Sequence, residues 1–227
     1  MSTLYIVATP IGNLKDISER AVDVLGSADY LACEDTRTSG VLLNYLGIEA
    51  TTFSFHQHNE HQKVKHIINI LDARQTVAIL SDAGMPGISD PGFLAIRAAH
   101  QAGHSVCVIP GPDAATTALV ASGLPSDKYV FEGFLPQKKG RQKRLRQLAE
   151  ENRSIVFYES PYRIQKLLQE LRSHMGDQRM AAVCRELTKK FEEIVRGPLK
   201  SVFDQFASRD QVKGEFVVVI APKDYRE

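Results

Sequence analysis

The sequence has few cysteines, little net charge and no long apolar run, and each absence excludes a class of protein. Its three cysteines, Cys33, Cys107 and Cys184, are odd in number and far apart. This spacing excludes a disulfide framework and a cysteine-based zinc site. No stretch approaches the roughly 18 apolar residues of a membrane span, and the N-terminus lacks the pattern of a signal peptide. We therefore expect a soluble cytoplasmic protein with no membrane partner.

Charge is balanced over the whole chain but not along it. The 28 Lys and Arg against 27 Asp and Glu give a formal charge of +1. Residues 1–112 hold 7 basic and 11 acidic side chains, whereas residues 113–227 hold 21 and 16. The near-neutral total therefore averages an acidic half and a basic half, and the basic half favours a polyanionic partner.

Hydrophobic periodicity predicts an α/β protein with two domains. In the first half, short β-branched runs alternate with helical patterns, which is typical of a parallel sheet covered by helices. In the second half, some strands follow one another over short connections, which favours a mixed sheet. Turn residues at 122–127 predict domains at 1–122 and 123–227. The predicted strands are 4–8, 30–33, 51–55, 77–80, 106–109, 129–134, 155–158, 181–184, 193–196 and 216–220.

Three loops after predicted strands are candidates for ligand binding, because ligands bind at the carboxyl edge of open α/β sheets. They read ATPIGNL (8–14), SDAGMPGISDPG (81–92) and PGPDAA (110–115). The second is richer in Gly and Pro than a turn requires, so a ligand could lie against its backbone while Asp82 bonds a hydroxyl or an ammonium. The first and third could equally be ordinary turns. No G-x-G-x-x-G occurs, so a Rossmann dinucleotide site is unsupported.

Local patterns also predict helix starts. Asp16 with Glu19 resembles a capping box, and Asp90 followed by Pro91 resembles an N-cap with proline at the first helical position. Asp113, in the third of these loops, could either cap the helix that follows or contact a ligand.

Glu34, Asp35 and Arg37 follow the second predicted strand and are candidate catalytic residues. A carboxylate there could orient or deprotonate a hydroxyl, and Arg37 could hold a phosphate. An internally satisfied ion-pair cluster is the competing interpretation.

The strongest electrostatic feature is the basic segment, residues 138–146, which has no acidic residue. Such a run favours contact with a phosphate backbone, although a solvated helix face is the alternative. Four histidines, His56, His58, His61 and His66, lack an accompanying ligand pattern, so we expect no metal site. The basic residues of the segment are Lys138, Lys139, Arg141, Lys143, Arg144 and Arg146.

Eight motifs follow one another along the chain: ATPIGNL, EDTR, SDAGMPGISDPG, PGPDAA, LPSDKYVFEGFLP, FYESPYR, RELTKKFEE and GEFVVVI. Taken in this order, they resemble the motifs of the bacterial ribosomal RNA small subunit methyltransferase I family, within the tetrapyrrole methylase superfamily. The resemblance extends from Leu4 to Ile220. Many members continue beyond the last motif with a helical extension, whereas this sequence stops at Glu227.

The resemblance implies a two-domain tetrapyrrole-methylase-like fold, usually a homodimer, with S-adenosylmethionine bound in the cleft between domains. The implied reaction methylates the ribose 2′-hydroxyl of a cytidine in the decoding region of small-subunit ribosomal RNA, either free or in the assembled subunit. This sequence has Asp113 directly after Pro-Gly-Pro, whereas related sequences often carry a small residue there. The implied donor-site residues are Pro10, Asp82, Ala83, Gly84, Gly87, Asp113, Ala114, Glu159 and Leu187.

Two other functions remain open at this point. One is a methyltransferase of the same superfamily acting on a tetrapyrrole, and the other is a ribosome-assembly factor that binds RNA without turnover. The basic segment favours RNA as the acceptor.

Overall fold

The computed structural model describes residues 2–209 and 211–227. The chain divides into two compact units, Met1–Asp113 and Ala114–Glu227. All ten predicted strands are present, with ends within about two residues of those expected. The predicted parallel first sheet and mixed second sheet are confirmed.

The first unit contains a five-stranded parallel sheet in the order β3-β2-β4-β1-β5. Its strands are short and rich in β-branched or apolar residues, so the buried strands read as nearly continuous hydrophobic runs. The strands are β1 (Thr3–Val7), β2 (Tyr30–Cys33), β3 (Thr52–Ser54), β4 (Val77–Leu80) and β5 (Ser105–Ile109). The helices are α1 (Glu19–Ser27), α2 (Thr36–Leu46), α3 (Glu60–Asp72) and α4 (Phe93–Gln101).

Helices cover both faces of this sheet, because successive strand residues point to opposite sides. Leu4 and Ile6 belong to a core with Ile67 of α3 and Ala95 of α4. Val7, on the other face, packs in a core with residues of α1 and α2. The helices after β1 and β2 therefore lie on one face, and the helix after β4 lies on the other.

Two predicted helix starts are wrong. Ser18, not Asp16, caps α1, because its Oγ accepts a hydrogen bond from the N–H of Ala21. Asp16 belongs to a short 3-10 helix, Leu14–Asp16. Gly92, not Asp90, precedes α4, and its positive φ of 144° begins the helix two residues later than expected.

The second unit contains a mixed sheet in the order β6-β7-β10-β8-β9. The pair β6 and β7 is parallel, and the other neighbours are antiparallel. Its strands are β6 (Tyr129–Phe134), β7 (Ser154–Glu159), β8 (Met180–Arg185), β9 (Glu193–Pro198) and β10 (Phe216–Ile220). Its helices are α5 (Ala114–Ala121), α6 (Arg141–Ala149), α7 (Ile164–Met175) and α8 (Leu199–Ala207).

The helix α5 belongs to the second unit, so the boundary differs from the one predicted after residue 122. The reason is packing: α5 contacts β7 and β10. The thiol of Cys184 in β8 also donates to the carbonyl of Ala118 at 3.7 Å. The turn cluster at 122–127 therefore joins two elements of one unit instead of two domains.

Candidate functional site

The carboxyl edge of the first sheet has the topology of a ligand site. The strand β4 lies between β2 and β1, yet the helix after β4 packs on the opposite face from the helices after its two neighbours. Such a reversal opens a crevice outside the strand ends. The loop formed by residues 81–92 leaves β4 at this position.

The loops after β1 and β4 are bound to each other by backbone hydrogen bonds. The N–H of Thr9 donates to the carbonyl of Gly84 at 2.9 Å, and the N–H of Gly84 donates to the carbonyl of Thr9 at 3.0 Å. The hydroxyl of Thr9 donates to the carbonyl of Ser81 at 3.0 Å. These bonds fix the two loops as one rigid surface.

Glycines allow the loops to approach closely. Gly84 has a φ of 85°, and a Cβ there would lie 3.5 Å from Ile11 and 3.9 Å from the carbonyl oxygen of Pro112. Gly111 packs so tightly that a Cβ would come within 3.0 Å of the Ala8 Cβ. Because Ala8, Gly84 and Gly111 belong to three different strand-loop connections, these connections meet at one place.

The structure brings most predicted donor residues to this edge. Pro10 is buried next to the hydrogen bonds between Thr9 and Gly84, whereas Asp82 and Ala83 are exposed. Gly87 is held by a hydrogen bond from its N–H to the carbonyl of Pro91 at 3.1 Å. Asp113 is the last residue of the first unit. The remaining three predicted donor residues, Ala114, Glu159 and Leu187, belong to the second unit.

Glu34 and Asp82 form a carboxylate pair across the ends of β2 and β4. The Glu34 carboxylate accepts from the Asp82 N–H at 3.3 Å, and the Asp82 carboxylate accepts from the Asp35 N–H at 3.2 Å. Partial burial raises the pKa of both carboxyl groups. A carboxylate with a raised pKa is a better proton acceptor near neutral pH.

Asp90 lies close enough to Glu34 and Asp82 to be affected by their charges. The sequence did not predict it as a site residue. Burial, followed by the negative charges of Glu34 and Asp82, raises its pKa from 3.8 to about 7. The sequence pattern Asp-Pro indicated only a helix cap. Asp90 is not that cap. The carboxylate of Glu60 instead accepts the N–H groups of Gly92 and Leu94 at the start of α4.

Asp35 and Arg37 are engaged with each other. Asp35 caps α2 by accepting the Arg37 N–H at 2.8 Å, and it also binds the guanidinium through two hydrogen bonds of 3.1 and 2.6 Å. Hydrogen bonds from the Arg37 side chain and backbone lower the pKa of Asp35 to about 2. The competing interpretation, an internally satisfied ion pair, therefore applies to Asp35 and Arg37. Because the pKa of Asp35 is so low, its carboxylate is a weak base at neutral pH.

In the second unit, Glu159 lies in a buried ionic network. It accepts the Ser160 N–H and the Arg163 Nε, each at 2.8 Å, and its other oxygen lies 4.0 Å from Arg141. Leu187 lies between two residues in the left-handed region, Glu186 at φ 53° and Thr188 at 63°. Non-glycine residues rarely adopt this conformation, and they often do so at functional sites.

The basic segment divides into inward and outward side chains. Arg141 is buried and donates to Glu170 at 2.8 Å and to the Pro136 carbonyl at 3.2 Å. Arg144 forms two hydrogen bonds with Glu132. Arg141 is therefore unable to contact a ligand in solvent, and Arg144 is already paired. The exposed members are Lys138, Lys139, Lys143 and Arg146.

The four histidines near β3 form no common site. His56 contacts Asn59 through Nε2 at 3.3 Å and packs edge-on against His58, whereas the ring of His66 packs against Phe53. Among residues 2–209 and 211–227, no group of three or more His, Cys, Asp or Glu residues is placed to hold a metal ion. In the same part of the chain, no helix is long and apolar enough to cross a membrane.

The fold is similar to that of solved methyltransferases. The structure of the methyltransferase CobJ matches with a TM-score of 0.71 and 18% identity, covering 100% of this chain and 95% of that one. Uroporphyrin-III C-methyltransferase from Thermus thermophilus, solved in complex with S-adenosyl homocysteine, matches with a TM-score of 0.67 and 18% identity, covering 97% and 98%. At this identity the likeness defines the fold class.

Sequence comparison gives the family. The model of the tetrapyrrole (corrin/porphyrin) methylases matches residues 3–202. The ribosomal RNA small subunit methyltransferase I of Vibrio cholerae is 48% identical over 96% of this chain and 76% of its own length. The protein of that name from Mesorhizobium japonicum is 47% identical over 97% and 76%. The chain belongs to the tetrapyrrole methylase family and, within it, to the ribosomal RNA small subunit methyltransferase I family, as the sequence motifs predicted.

Proposed function

We propose that this protein transfers a methyl group from S-adenosylmethionine to the ribose 2′-hydroxyl of a cytidine in the decoding region of small-subunit ribosomal RNA. The observation that carries the proposal is the 48% identity, over 96% of the chain, to a relative named for methylation of this RNA. The protein acts in the cytoplasm as a homodimer.

The carboxyl edge of the first sheet suits the methyl donor. S-adenosylmethionine carries an ammonium group, a sulfonium cation and two ribose hydroxyls, and it supplies a methyl group that is already activated for displacement. The exposed carboxylate of Asp82 matches the ammonium or a hydroxyl. Ala83 is exposed and has no side chain beyond Cβ, so it leaves room for a ligand beside the backbone. Gly84 allows the loop to turn there with a φ of 85°.

The acceptor hydroxyl must lie in line with the methyl group and lose its proton. Glu34 accepts that proton in our proposal, because it is half-buried and its pKa is raised. Asp35 has a pKa of about 2, so it orients Arg37 instead. Arg37 is mostly exposed and attracts a neighbouring phosphate.

The exposed lysines and Arg146 of the basic segment hold the RNA backbone. Their side chains extend into solvent, and the two arginines that pair with Glu170 and Glu132 fix the segment from within. This division retains the predicted RNA contact for four of the six residues and gives Arg141 and Arg144 a supporting role.

One assay tests the function. Radiolabelled S-adenosylmethionine is offered with assembled small subunits, naked small-subunit RNA and a tetrapyrrole precursor, and the labelled nucleotide is mapped. Label on a ribose 2′-oxygen of a decoding-region cytidine supports the proposal. Label on the tetrapyrrole would instead support a small-molecule enzyme, and no label would support a non-catalytic RNA-binding factor. Glu34→Gln serves as the control for background labelling.

A further inference from the structure

Two exposed aromatic side chains lie where β6 and β7 end. These strands are parallel and pair Phe134 with Tyr158, so their following loops leave from the same edge of the second sheet. Phe134 is 53% exposed, and its ring meets that of Tyr158 in an edge-to-face arrangement with centroids 5.6 Å apart. Tyr162, in the turn after β7, is 95% exposed. Both rings therefore present apolar surface to solvent at this edge.

The exposed lysines of the basic segment are anchored at the same edge. Arg141, at the start of α6, donates to the carbonyl of Pro136 at 3.2 Å, and its Nη2 lies 4.0 Å from Glu159, the last residue of β7. This buried arginine holds the loop that carries Lys138 and Lys139 against the strand ends. The lysines therefore lie beside the aromatic edge, although their side chains face solvent.

The acidic residues near this edge are already paired. Glu159 has a side chain that is 1% exposed and bonds Arg163 at 2.8 Å. Glu132 in β6 is bound by two hydrogen bonds from Arg144. The charge presented outward by the loop is therefore that of Lys138 and Lys139.

We propose that this edge of the second unit, formed by Phe134, Lys138, Lys139 and Tyr162, binds an unpaired segment of RNA. The aromatic rings stack on exposed bases, and the lysines hold the adjoining phosphates. Every base has a face that can stack, but the bases of a duplex already stack on one another, so this surface selects single-stranded RNA. The inference rests on the proposed function and specifies the form of its substrate.

The test measures binding of a single-stranded ribooligonucleotide and of a perfect RNA duplex over a range of salt concentrations. Tyr162→Ala and Phe134→Ala should each weaken single-strand binding by about tenfold and leave the salt slope unchanged, because they remove stacking. Tyr162→Phe should bind like the wild type. Replacing Lys138 and Lys139 with Gln should reduce the slope by about 1.4, because two phosphate contacts are lost.

Tyr129 provides a matched control. It is 40% exposed at the opposite end of β6, so Tyr129→Ala removes a comparable aromatic ring away from the proposed surface. Wild-type affinity for Tyr162→Ala, equal losses in Tyr129→Ala, or equal affinity of the wild type for single strand and duplex would each overturn the inference. Because binding is measured without methyl transfer, an inactive wild type would contradict the proposed function alone.

Discussion

Glu34 and Asp82 join the ends of two neighbouring strands through reciprocal contacts. The Glu34 carboxylate accepts the N–H of Asp82, while the Asp82 carboxylate accepts the N–H that follows Glu34. Two carboxylates are thus held at the edge of a parallel sheet, where burial raises the pKa of each. We therefore propose separate roles for the two residues, proton transfer for Glu34 and donor binding for Asp82.

Glu34→Gln should lower the rate of methyl transfer by about 100-fold, because an amide is unable to accept the hydroxyl proton. Asp35→Asn should have a much smaller effect, since Asn also caps a helix and Asp35 is a weak base. Single-turnover labelling of small subunits measures both rates, with Asp23→Asn on the exposed face of α1 as the control. A wild-type rate for Glu34→Gln would remove this residue from the mechanism.

Asp82→Ala should weaken S-adenosylmethionine binding by about 30-fold, the effect of losing one charge-assisted hydrogen bond. The fold should survive, because Asp82 is exposed and its carboxylate accepts the N–H of Asp35 at the surface. Calorimetric titration measures the affinity, and thermal unfolding tests the fold. Glu49→Ala, also exposed in the first unit, should titrate like the wild type. Unchanged affinity in Asp82→Ala would contradict the donor assignment.

Asp90→Asn should stabilise the protein at alkaline pH. The folded state raises the pKa of Asp90 from 3.8 to about 7, so ionisation of this group destabilises the fold progressively as the pH rises between these values. Asn is unable to ionise and avoids this cost. The expected gain is about 1–2 kcal/mol at about pH 8 after allowance for solvent screening, and about zero near pH 4.

Scanning calorimetry across this pH range measures the effect. Asp16→Asn, which replaces an exposed carboxylate on a 3-10 helix, is the control. A stability difference that stays constant with pH would mean that ionisation of Asp90 is not its cause.

Replacing Lys138, Lys139, Lys143 and Arg146 with Gln should weaken RNA binding and reduce its salt slope by about 3, because about four phosphate contacts are lost. Arg144→Gln should leave most of the slope intact, since Arg144 is paired with Glu132. Filter binding at several salt concentrations measures the slopes. A slope unaffected by the fourfold change would make the segment a solvated helix face.

The strands and both sheet types were predictable because β-branched runs and turn residues are local signals. The loop at 81–92 was predictable because its glycines and prolines exceed what a turn requires. Asp90 was not, because the carboxylate that binds the start of α4 belongs to Glu60, 32 residues away from Gly92. Long-range contacts of this kind leave no local pattern.

The burial of Arg141 did have a signal in the sequence. Arg141, Leu145 and Leu148 recur at helical spacing, and all three are buried on one face of α6. The high charge of the segment obscures this periodicity, because Arg141 is both one of its positive charges and a member of its buried face. The boundary between the units was misplaced for a related reason, since turn residues report where the chain bends but not which sheet the preceding helix covers.

The position of β10 sets the order in which the two sheets can form during translation. All strands of the first sheet come from residues 3–109, so that sheet can close while the ribosome is still making the second unit. The second sheet must wait, because β10 is its central strand and β7 and β8 do not pair with each other. Until residues 216–220 emerge, both strands have an unpaired apolar edge, and this is the stage at which the nascent chain is most open to misassociation.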